Sequence, residues 1–428
     1  MKAFRKFETA LRNNLKEWIK ELGEVDVLVG IPSFNSEETI EGVVTACALG
    51  LKEHLGDRRS AIIVSDGGSL DDTRERANQA RLPEDVKRMV AIYRGMPGKG
   101  TSFRAIFEAA RLLKADCCVV VDSDLKSISP EWVKLLASPI LQKKAGFVTP
   151  FYLRHKHDGS ITNHIVYPMT RALYGKRIRQ PIGGDFGFCG ELAAFYAMQD
   201  VWQTDVARFG IDIWMTTSAI NEGYSVVQAH LGTKIHEAKD PSIDLAPMSG
   251  QVISTLFYLI GKYEKNWMGI DKSEEVQTVD GISEIPKLES VPVSLDKLKR
   301  EFVEGFHHFE PLYQQVLAHE NFMQLKGKVE HLEKKGRFDF PDELWAKTVY
   351  DFAFIYQTWS RNRRRLVDMI APLYFGKVGA YCNQVTDMNS EEAEEVIEKE
   401  AQQFEKLKPY LLEKFTRWDQ DILYRRSE

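Results

Sequence analysis

The chain has 428 residues, of which 43% are hydrophobic and 28% charged, and its formal net charge is −5 at pH 7. This length accommodates one large enzyme domain and a smaller second one, and the composition is that of an ordinary soluble globular protein. The negative charge gives no electrostatic reason to expect nucleic acid as a partner. Apolar runs stay short of the roughly 20 residues of a bilayer span, so no stable membrane insertion is expected.

Residues 1–24 are predicted to form an N-terminal amphipathic helix that docks on the protein itself, because Leu11, Leu15 and Ile19 follow a helical spacing.

Five cysteines occur without the spacing of a metal site: Cys47, Cys117, Cys118, Cys189 and Cys382. An odd number of scattered cysteines is typical of reduced thiols, and we therefore expect a cytoplasmic protein.

Strand-like and helix-like segments alternate from residue 25 to about residue 151. The apolar strands are predicted at Val25–Ile31, Ala61–Asp66, Val90–Tyr93 and Cys117–Asp122. Short apolar strands separated by helices predict an α/β fold with a parallel sheet that is covered on both faces. Ligands of such sheets bind beyond the carboxyl ends of the strands, where this chain carries Pro32, Asp66 and Asp122.

We assign residues 25–250 to this catalytic domain and residues 251–428 to a helical C-terminal region, with a polar linker near residues 268–296. The helical patterns of the second region are found at Gln251–Tyr263, Trp345–Tyr356, Arg365–Tyr381 and Ser390–Tyr424. This region either packs on the catalytic domain or forms an oligomer interface.

The sequence Asp122-Ser123-Asp124 follows the apolar strand that begins at Cys117. Two carboxylates one residue apart at a strand end can reach one hard divalent cation, and oxygen ligands suit Mg²⁺ or Mn²⁺. The alternative is a solvated acidic turn. Together with its strand, the motif favours a metal site.

Two glycine-containing loops are further candidates for ligand binding. Asp66 ends a strand before Gly67, and Gly67 lets the backbone approach a ligand such as a nucleobase or ribose. Lys99 stands between two glycines before a predicted helix, where it could meet a phosphate, although an ordinary surface turn fits these residues equally well.

Among the histidines, His155, His157 and His164 show no ligand pattern, and His236 taken alone is more typical of a structural group.

These segments together resemble the GT-A nucleotide-sugar glycosyltransferases, in particular the retaining enzymes of the glucosyl-3-phosphoglycerate, mannosylglycerate and glucosylglycerate synthase group. The resemblance extends over about residues 25–245 and depends on seven motifs in order. They are Ile31–Asn35, Asp66–Ser69 with Asp71–Thr73, Pro97–Gly100, Asp122–Leu125, Gln180–Asp185, Phe209–Ile213 and Leu231–His236.

The resemblance implies a role for each matching residue. Pro32, Phe34, Asp66 and Gly67 would form the nucleobase pocket, Lys99 would contact the donor, and Asp122 and Ser123 would lie near the nucleotide. Asp124 and His236, with Asp122 in the inner or outer shell, would bind Mg²⁺ or Mn²⁺. Gly184 would lie against the sugar, and Asp212 would face the sugar and the acceptor. The group also implies a homodimer and a product that is a compatible solute or a precursor of a methylated polysaccharide.

One departure from the group concerns the acceptor, for which the resemblance implies contacts with Arg154, Thr162 and Asn163. Members that use phosphoglycerate carry a Gly-Arg-Val-Thr-Glu stretch, and the matching residues Gly159–Asn163 lack its arginine. Loss of that bidentate phosphate contact predicts D-glycerate as the acceptor and 3-phosphoglycerate as the alternative. Arg154, Lys156 or Lys239 could compensate. Because Ser36 replaces a common acidic residue, a GDP-, UDP- or ADP-hexose donor remains open, as does the choice of glucose or mannose.

Three other functions compete with this hypothesis. A transferase that extends a polysaccharide or a lipid-linked glycan is disfavoured because the sequence shows no apolar run long enough for a transmembrane anchor and no QxxRW-like segment of processive synthases. A nucleotidyltransferase would also use carboxylates and Mg²⁺, but it would release pyrophosphate from a triphosphate. A catalytically silent scaffold is disfavoured by the presence of Asp122, Asp124 and His236.

Overall fold

The computed structural model describes residues 8–235, 245–279, 281–282, 291–359 and 362–427, with the backbone alone for residues 245–247 and 419–427. These residues form two compact units. The first unit draws its residues from Met1–Leu153, Ile178–Ala238 and Val276–Glu289. The second draws them from Arg154–Arg177, Lys239–Glu275 and Ser290–Glu428.

The described residues contain ten strands and fifteen α-helices. The strands are β1 (Val27–Ser33), β2 (Ser60–Asp66), β3 (Lys87–Ile92), β4 (Cys117–Val120), β5 (Phe147–Leu153), β6 (Lys176–Arg177), β7 (Phe186–Cys189), β8 (Val226–Thr233), β9 (Glu274–Glu275) and β10 (Thr278–Val279). The helices are α1 (Asn13–Leu22), α2 (Ile40–Leu55), α3 (Thr73–Gln79), α4 (Lys99–Leu112), α5 (Pro130–Leu141), α6 (Tyr167–Tyr174), α7 (Gly190–Met198), α8 (Ile211–Asn221), α9 (Leu245–Lys262), α10 (Glu264–Met268), α11 (Leu295–Val316), α12 (His319–Lys335), α13 (Asp342–Thr358), α14 (Arg363–Gln384) and α15 (Ser390–Ser427). A π-helical turn (Thr162–Val166) and a 3₁₀ turn (Asp205–Ala207) complete the set.

The first unit is built on an eight-stranded sheet in the order β10-β8-β5-β7-β4-β1-β2-β3. Every residue of β1, β2 and β4 is buried, because helices cover both faces of the sheet and the strands are apolar on both faces. The edge strand β3 is more exposed and begins with the charged residue Lys87, as edge strands commonly do.

Strand β7 is the exception in a sheet whose other pairs are parallel, because it runs antiparallel to both of its neighbours, β4 and β5. Its first residue, Phe186, pairs with Val120, the last residue of β4. The residues just before β7 therefore lie opposite the residues just after β4. This register brings Gly184 and Asp185 next to Asp122 at the carboxyl edge of the parallel strands.

The second unit consists of helices and the two-stranded sheet β6–β9. Helix α15 has 38 residues and packs against α6 and α13, and α11 packs against α14. The interior of the second unit is rich in aromatic side chains, among them the fully buried Trp267, Trp345 and Tyr350. In the part of the chain that is described, no helix is both long and apolar enough to span a membrane.

The predicted α/β fold class with a helical C-terminal region is confirmed by this sheet and by helices α11–α15. The predicted helix Ser390–Tyr424 corresponds to α15, and the N-terminal helix is observed at Asn13–Leu22. Residues 154–177 belong to the second unit, and the domain boundary at residue 250 stays a prediction. Part of the linker predicted near residues 268–296 forms β9 and β10, and part of it lies outside the described residues.

A buried carboxylate connects three segments of the second unit. Asp351 of α13 is fully buried, and its Oδ2 accepts hydrogen bonds from the Ala318 backbone N–H at 2.9 Å and from Asn321 Nδ2 at 2.8 Å. Its Oδ1 accepts from Tyr410 Oη at 2.6 Å and lies 2.8 Å from Lys414 Nζ. Because four donors converge on it, Asp351 joins α13 to α15 and to the start of α12.

We expect Asp351→Asn to lower the free energy of unfolding by about 3 kcal/mol, because one oxygen is replaced by a donor and Lys414 loses its buried partner. Urea unfolding followed by tryptophan fluorescence measures this change. The matched control is Glu343→Gln on the same helix, which breaks a 2.7 Å pair with Lys347 in which the glutamate is 61% exposed. This control is expected to cost less than about 0.5 kcal/mol, and equal losses in the two variants would contradict the prediction.

Candidate functional site

The carboxyl ends of the strands in the first unit carry a cluster of charged side chains centred on Asp122. Lys99 Nζ lies 2.8 Å from Asp122 Oδ1, and Lys234 Nζ lies 2.9 Å from Asp122 Oδ2. Asp122 follows β4, Lys234 follows β8, and Lys99 is the first residue of α4. The carboxyl ends of parallel strands and the first residues of the helices that follow them lie at the same edge of the sheet. Residues that are far apart in sequence therefore meet here.

Two further carboxylates complete the cluster. Lys234 Nζ lies 2.8 Å from Asp185 Oδ2 and donates to the Gly183 carbonyl oxygen at 2.9 Å. Asp185 Oδ1 also accepts from the backbone N–H of Asp122 at 2.8 Å, and its Oδ2 accepts from the Tyr152 hydroxyl. Asp185 is fully buried, so its hydrogen bonds fix the turn that carries Gly184.

Asp212 stands in the first turn of α8 and lies 3.2 Å from Lys99 Nζ through its Oδ2. Its other oxygen, Oδ1, is buried and has no hydrogen-bond partner among the described residues. A buried carboxylate oxygen without a partner is unusual in a folded protein, and such groups occur where a ligand completes the hydrogen bonding. Asp212 is therefore suited to bind a ligand next to Lys99.

The charges of this cluster shift one another's pKa. Burial on its own lowers the pKa of Lys99, but Asp122 and Asp212 outweigh burial and hold that pKa above its usual value. Burial on its own raises the pKa of Asp122, but Lys234 and Lys99 hold it far below the usual range. Burial raises the pKa of both Asp185 and Asp212, against the opposing effect of the lysines. Strongly perturbed groups that converge at one edge are typical of functional sites.

Glycines set the position of Lys99. A Cβ atom at Gly98 would lie 2.5 Å from the Ala207 carbonyl oxygen, and one at Gly100 would lie 1.8 Å from the Val206 carbonyl oxygen. The backbone at the start of α4 therefore lies directly against the 3₁₀ turn that precedes α8. This contact explains the glycines of the Pro97–Gly100 motif and brings Lys99 within reach of Asp212.

The predicted nucleobase residues lie in the loops after β1 and β2. Phe34 exposes 59% of its surface, and its Cδ2 would lie 3.1 Å from a Cβ at Gly67, so the ring stands beside that glycine. Pro32 is buried within β1. Asp66 is fully buried, and its oxygens accept hydrogen bonds from Ser33, Gly68 and Ser69. In this structure Asp66 orders the loop, and its contact with a nucleobase stays a prediction.

The predicted metal ligands differ in how freely they can bind a cation. Both oxygens of Asp122 are paired with lysines, whereas Asp124 is half-buried and forms no hydrogen bond or ion pair within the described ranges. Its carboxylate chemistry fits a hard divalent cation. His236 lies outside the described residues, and the described residues alone contain no cluster of three metal-binding side chains. Ser123 hydrogen-bonds Ser36 through its hydroxyl at 2.9 Å.

The predicted acceptor residues belong to the second unit. Arg154 Nη1 lies 3.2 Å from Asp158 Oδ2, and Asn163 Nδ2 donates to the Asp158 carbonyl oxygen at 3.0 Å. Thr162 and Asn163 are buried in the π-helical turn. Their roles in binding stay predictions.

Sequence reasoning did not assign roles to Lys234, Asp185 or Tyr152. Lys234 and Asp185 each lie in one of the seven motifs, near a glycine. A charged residue close to a glycine in a motif was therefore the available sign that these side chains belong to the site. Tyr152 lies in β5 and offers no signal, because its hydroxyl reaches Asp185 only through the pairing of β5 with β7.

Residues 28–202 match the family described as glycosyl transferase family 2. This segment is therefore similar to glycosyl transferase family 2, which agrees with the resemblance indicated by the motifs. The match includes Lys99, Asp122, Gly184 and Asp185. A search among curated proteins found no match.

Similar solved structures include the glucosyl-3-phosphoglycerate synthase of Mycobacterium tuberculosis. Its complex with Mn²⁺, uridine diphosphate and glucosyl-3-phosphoglycerate is 27% identical over 57% of this chain and 84% of that chain, with a TM-score of 0.46. Its complex with Mn²⁺, UDP-glucose and phosphoglyceric acid is 26% identical over the same shares, with a TM-score of 0.45.

We expect Gly184→Ala to abolish sugar transfer while the protein stays folded. Gly184 has φ +89°, and a Cβ there would lie 2.2 Å from Asp122 Oδ2, so the carboxylate has to leave its lysines. Gly223→Ala is the matched control, because Gly223 has φ +82° and open space around its Cβ position. Both variants carry the backbone strain of a left-handed residue, about 1 kcal/mol. Release of nucleoside diphosphate and melting temperature are measured for each, and full activity of Gly184→Ala would contradict the assignment.

Proposed function

We propose that this protein is a retaining, metal-dependent hexosyltransferase that transfers glucose or mannose from a nucleoside-diphosphate sugar to D-glycerate. The observation that carries the proposal is the cluster of Lys99, Asp122, Lys234, Asp185 and Asp212 at the carboxyl edge of the sheet. Two lysines beside a carboxylate oxygen without a partner suit a ligand that combines a diphosphate with hydroxyl groups. The family match over residues 28–202 supports the same class of donor.

The chain's own residues account for the main requirements of transfer. Lys99, which has two carboxylate partners, keeps capacity for a third acceptor and supplies a positive charge for the diphosphate. Lys234, which has three partners, holds Asp122 and Asp185 in place before the ligand arrives. Asp124, with Asp122 and His236, would hold Mg²⁺ or Mn²⁺, which stabilises the leaving diphosphate when bound. Phe34, beside Gly67, offers an exposed ring for the nucleobase.

In a retaining transfer, the bond between the anomeric carbon and the phosphate oxygen breaks on the face where the acceptor oxygen attacks. A bond then joins the anomeric carbon to the acceptor oxygen, and the departing phosphate takes the acceptor's hydroxyl proton. This scheme needs no separate protein base. Asp212 would then orient the sugar and acceptor hydroxyls through its oxygen that lacks a partner.

The choice of D-glycerate is supported by the surroundings of the stretch Gly159–Asn163. Ser160 stands where the phosphoglycerate-using relatives have arginine, and its hydroxyl hydrogen-bonds Tyr374 at 2.5 Å in a buried position. Lys156 Nζ donates to the carbonyl oxygens of Val385, Thr386 and Met388 at 2.7–2.8 Å, so its ammonium group is already satisfied. Arg154 is paired with Asp158. Lys239, the third cation that could replace the arginine, lies outside the described residues.

The test is a matrix of UDP-, GDP- and ADP-glucose and GDP-mannose against D-glycerate and 3-phosphoglycerate, with Mg²⁺, Mn²⁺ or EDTA. We expect metal-dependent release of nucleoside diphosphate and an α-glycosylglycerate by NMR, with D-glycerate turned over faster than 3-phosphoglycerate. Asp124→Asn should lose the metal-dependent activity, and the matched control Asp116→Asn, which changes an exposed residue next to the opposite end of β4, should keep it.

Other outcomes of this matrix would contradict separate parts of the proposal. Faster turnover of 3-phosphoglycerate would overturn the acceptor, and a β-linked product would overturn retention. Release of pyrophosphate from a nucleoside triphosphate and sugar phosphate would favour a nucleotidyltransferase instead.

We expect Asp212→Asn to raise KM for the acceptor and to lower kcat by less than about a hundredfold, because the residue orients substrates and does not remove the proton. Steady-state kinetics with each substrate varied in turn measures both effects. Asp205→Asn, in the neighbouring 3₁₀ turn, is the control and should leave both constants near the wild-type values. Unchanged affinities with turnover abolished would show that Asp212 acts as a general base.

A further inference from the structure

A buried set of ionisable side chains in the second unit has no place in the scheme above. His164 Nδ1 lies 2.9 Å from Glu400 Oε2, and Lys377 Nζ lies 3.2 Å from the same oxygen. Lys377 also pairs with Asp342. His164 and Glu400 are fully buried, and Lys377 is 3% exposed. The network therefore joins the π-helical turn Thr162–Val166 to helices α13, α14 and α15.

His164 is held from several sides. Glu400 Oε2 fixes its ring through Nδ1, and Lys377 holds that same oxygen. The His164 carbonyl oxygen accepts a hydrogen bond from Trp345 Nε1 at 2.7 Å. The Tyr381 ring packs edge-on against the imidazole, with 4.7 Å between ring centroids. Burial on its own raises the pKa of Glu400, but Lys377 and His164 outweigh burial and lower it. The Lys377 ammonium group beside Glu400 Oε2 favours the carboxylate form of Glu400, which can only accept, so the Nδ1–H tautomer of His164 fits this contact.

Packing alone does not account for this arrangement. Buried ion pairs contribute little net stability, and apolar side chains of similar volume usually serve a protein core as well or better. Within the described residues, His164 Nε2 and Glu400 Oε1 are buried without hydrogen-bond partners, which adds to the cost. What the network supplies is a defined position for one turn of backbone.

The turn that His164 fixes contains two of the residues predicted to bind the acceptor. Thr162 and Asn163 precede His164 directly, and all five residues of the turn are buried. A π-helical turn is wider than an α-helical one, is rarely found without a tertiary cause, and often occurs at functional sites. Asn163 also binds the Asp158 carbonyl oxygen, so the loop that carries Arg154 and Asp158 is tied to the same turn.

We propose that His164 and Glu400 are positioning residues for the acceptor: their buried hydrogen bond holds the π-helical turn in the geometry in which Thr162 and Asn163 contact the acceptor acid. This inference rests on the proposed function, which supplies the acceptor. Neither His164 nor Glu400 touches the substrate, so the donor side of the reaction is independent of them.

The test separates the hydrogen bond from the ring. His164→Phe keeps an aromatic ring and removes the donor, whereas His164→Asn keeps a donor near the Nδ1 position and removes the ring. We expect His164→Phe to raise KM for D-glycerate about tenfold, the effect of losing one hydrogen bond to a charged group, with KM for the donor unchanged. His164→Asn should restore the acceptor KM to near wild type. Glu400→Asp, which keeps the charge but shortens the side chain, should behave like His164→Phe.

The matched control is Glu398→Gln, two residues earlier on the same helix. In the described part of the chain the Glu398 carboxylate binds Arg171, Tyr167 and Gln402, none of which belongs to the π-helical turn. Its loss therefore perturbs the attachment of α15 without touching His164. Melting temperatures are recorded for every variant. Glu398→Gln should lower the melting temperature and leave the acceptor KM unchanged.

Three results would overturn the inference. The first is an unchanged acceptor KM in His164→Phe and Glu400→Asp, and the second is an equal rise in Glu398→Gln. The third is a larger effect in His164→Asn than in His164→Phe, which would show that the ring matters through packing. A wild-type protein that transfers sugar to neither acid would refute the proposed function itself, and this outcome is recognised before any variant is compared.

Discussion

The carboxylate of Asp122 lies between two buried ammonium groups, and the first unit is arranged around this contact. Coulomb attraction is strong where water is largely excluded, so each lysine and its partners hold one another in place. Lys99 lies at the start of a helix, Lys234 follows β8, and Asp185 directly precedes the antiparallel strand β7. Removal of Lys99 would leave Asp212 without its ion-pair partner, and removal of Lys234 would do the same to Asp185, so these elements depend on one another although they are far apart in sequence.

The sequence predicted the positions of strands and helices better than it predicted strand direction and side-chain pairing. Short apolar strands and the glycine and aspartate residues at their ends were sufficient for the α/β class and for placing Pro32, Asp66 and Asp122 at one edge of the sheet. The role of Asp212 came from the family resemblance. The antiparallel direction of β7 leaves no trace in periodicity, because a buried strand is apolar in either direction. The pairing of Asp185 with Lys234 and Tyr152 follows from that direction and from the register of β7, and it therefore could not be predicted.

The histidines illustrate the same limit. His164 stands in a stretch without a metal-ligand pattern, and its partner Glu400 is 236 residues further along the chain. Long-range pairing of this kind is a property of the packed helices. The same reason explains why residues 154–177 cluster with the C-terminal helices, although the sequence favoured a boundary at residue 250. Among the described histidines, burial distinguishes His164, whose partner Glu400 is buried with it, from His307, which pairs with Glu333 at the surface.

The glycines on either side of Lys99 have a thermodynamic consequence. Because Gly98 and Gly100 touch the carbonyl groups of Ala207 and Val206, the backbone itself sets the distance from Lys99 to the helix that carries Asp212. With larger side chains at positions 98 and 100, the start of α4 and the 3₁₀ turn would lie further apart. A ligand that binds between them would then have to bring them together. With glycines at these positions, the two segments lose their conformational entropy when the chain folds. Ligand binding there does not have to order them again.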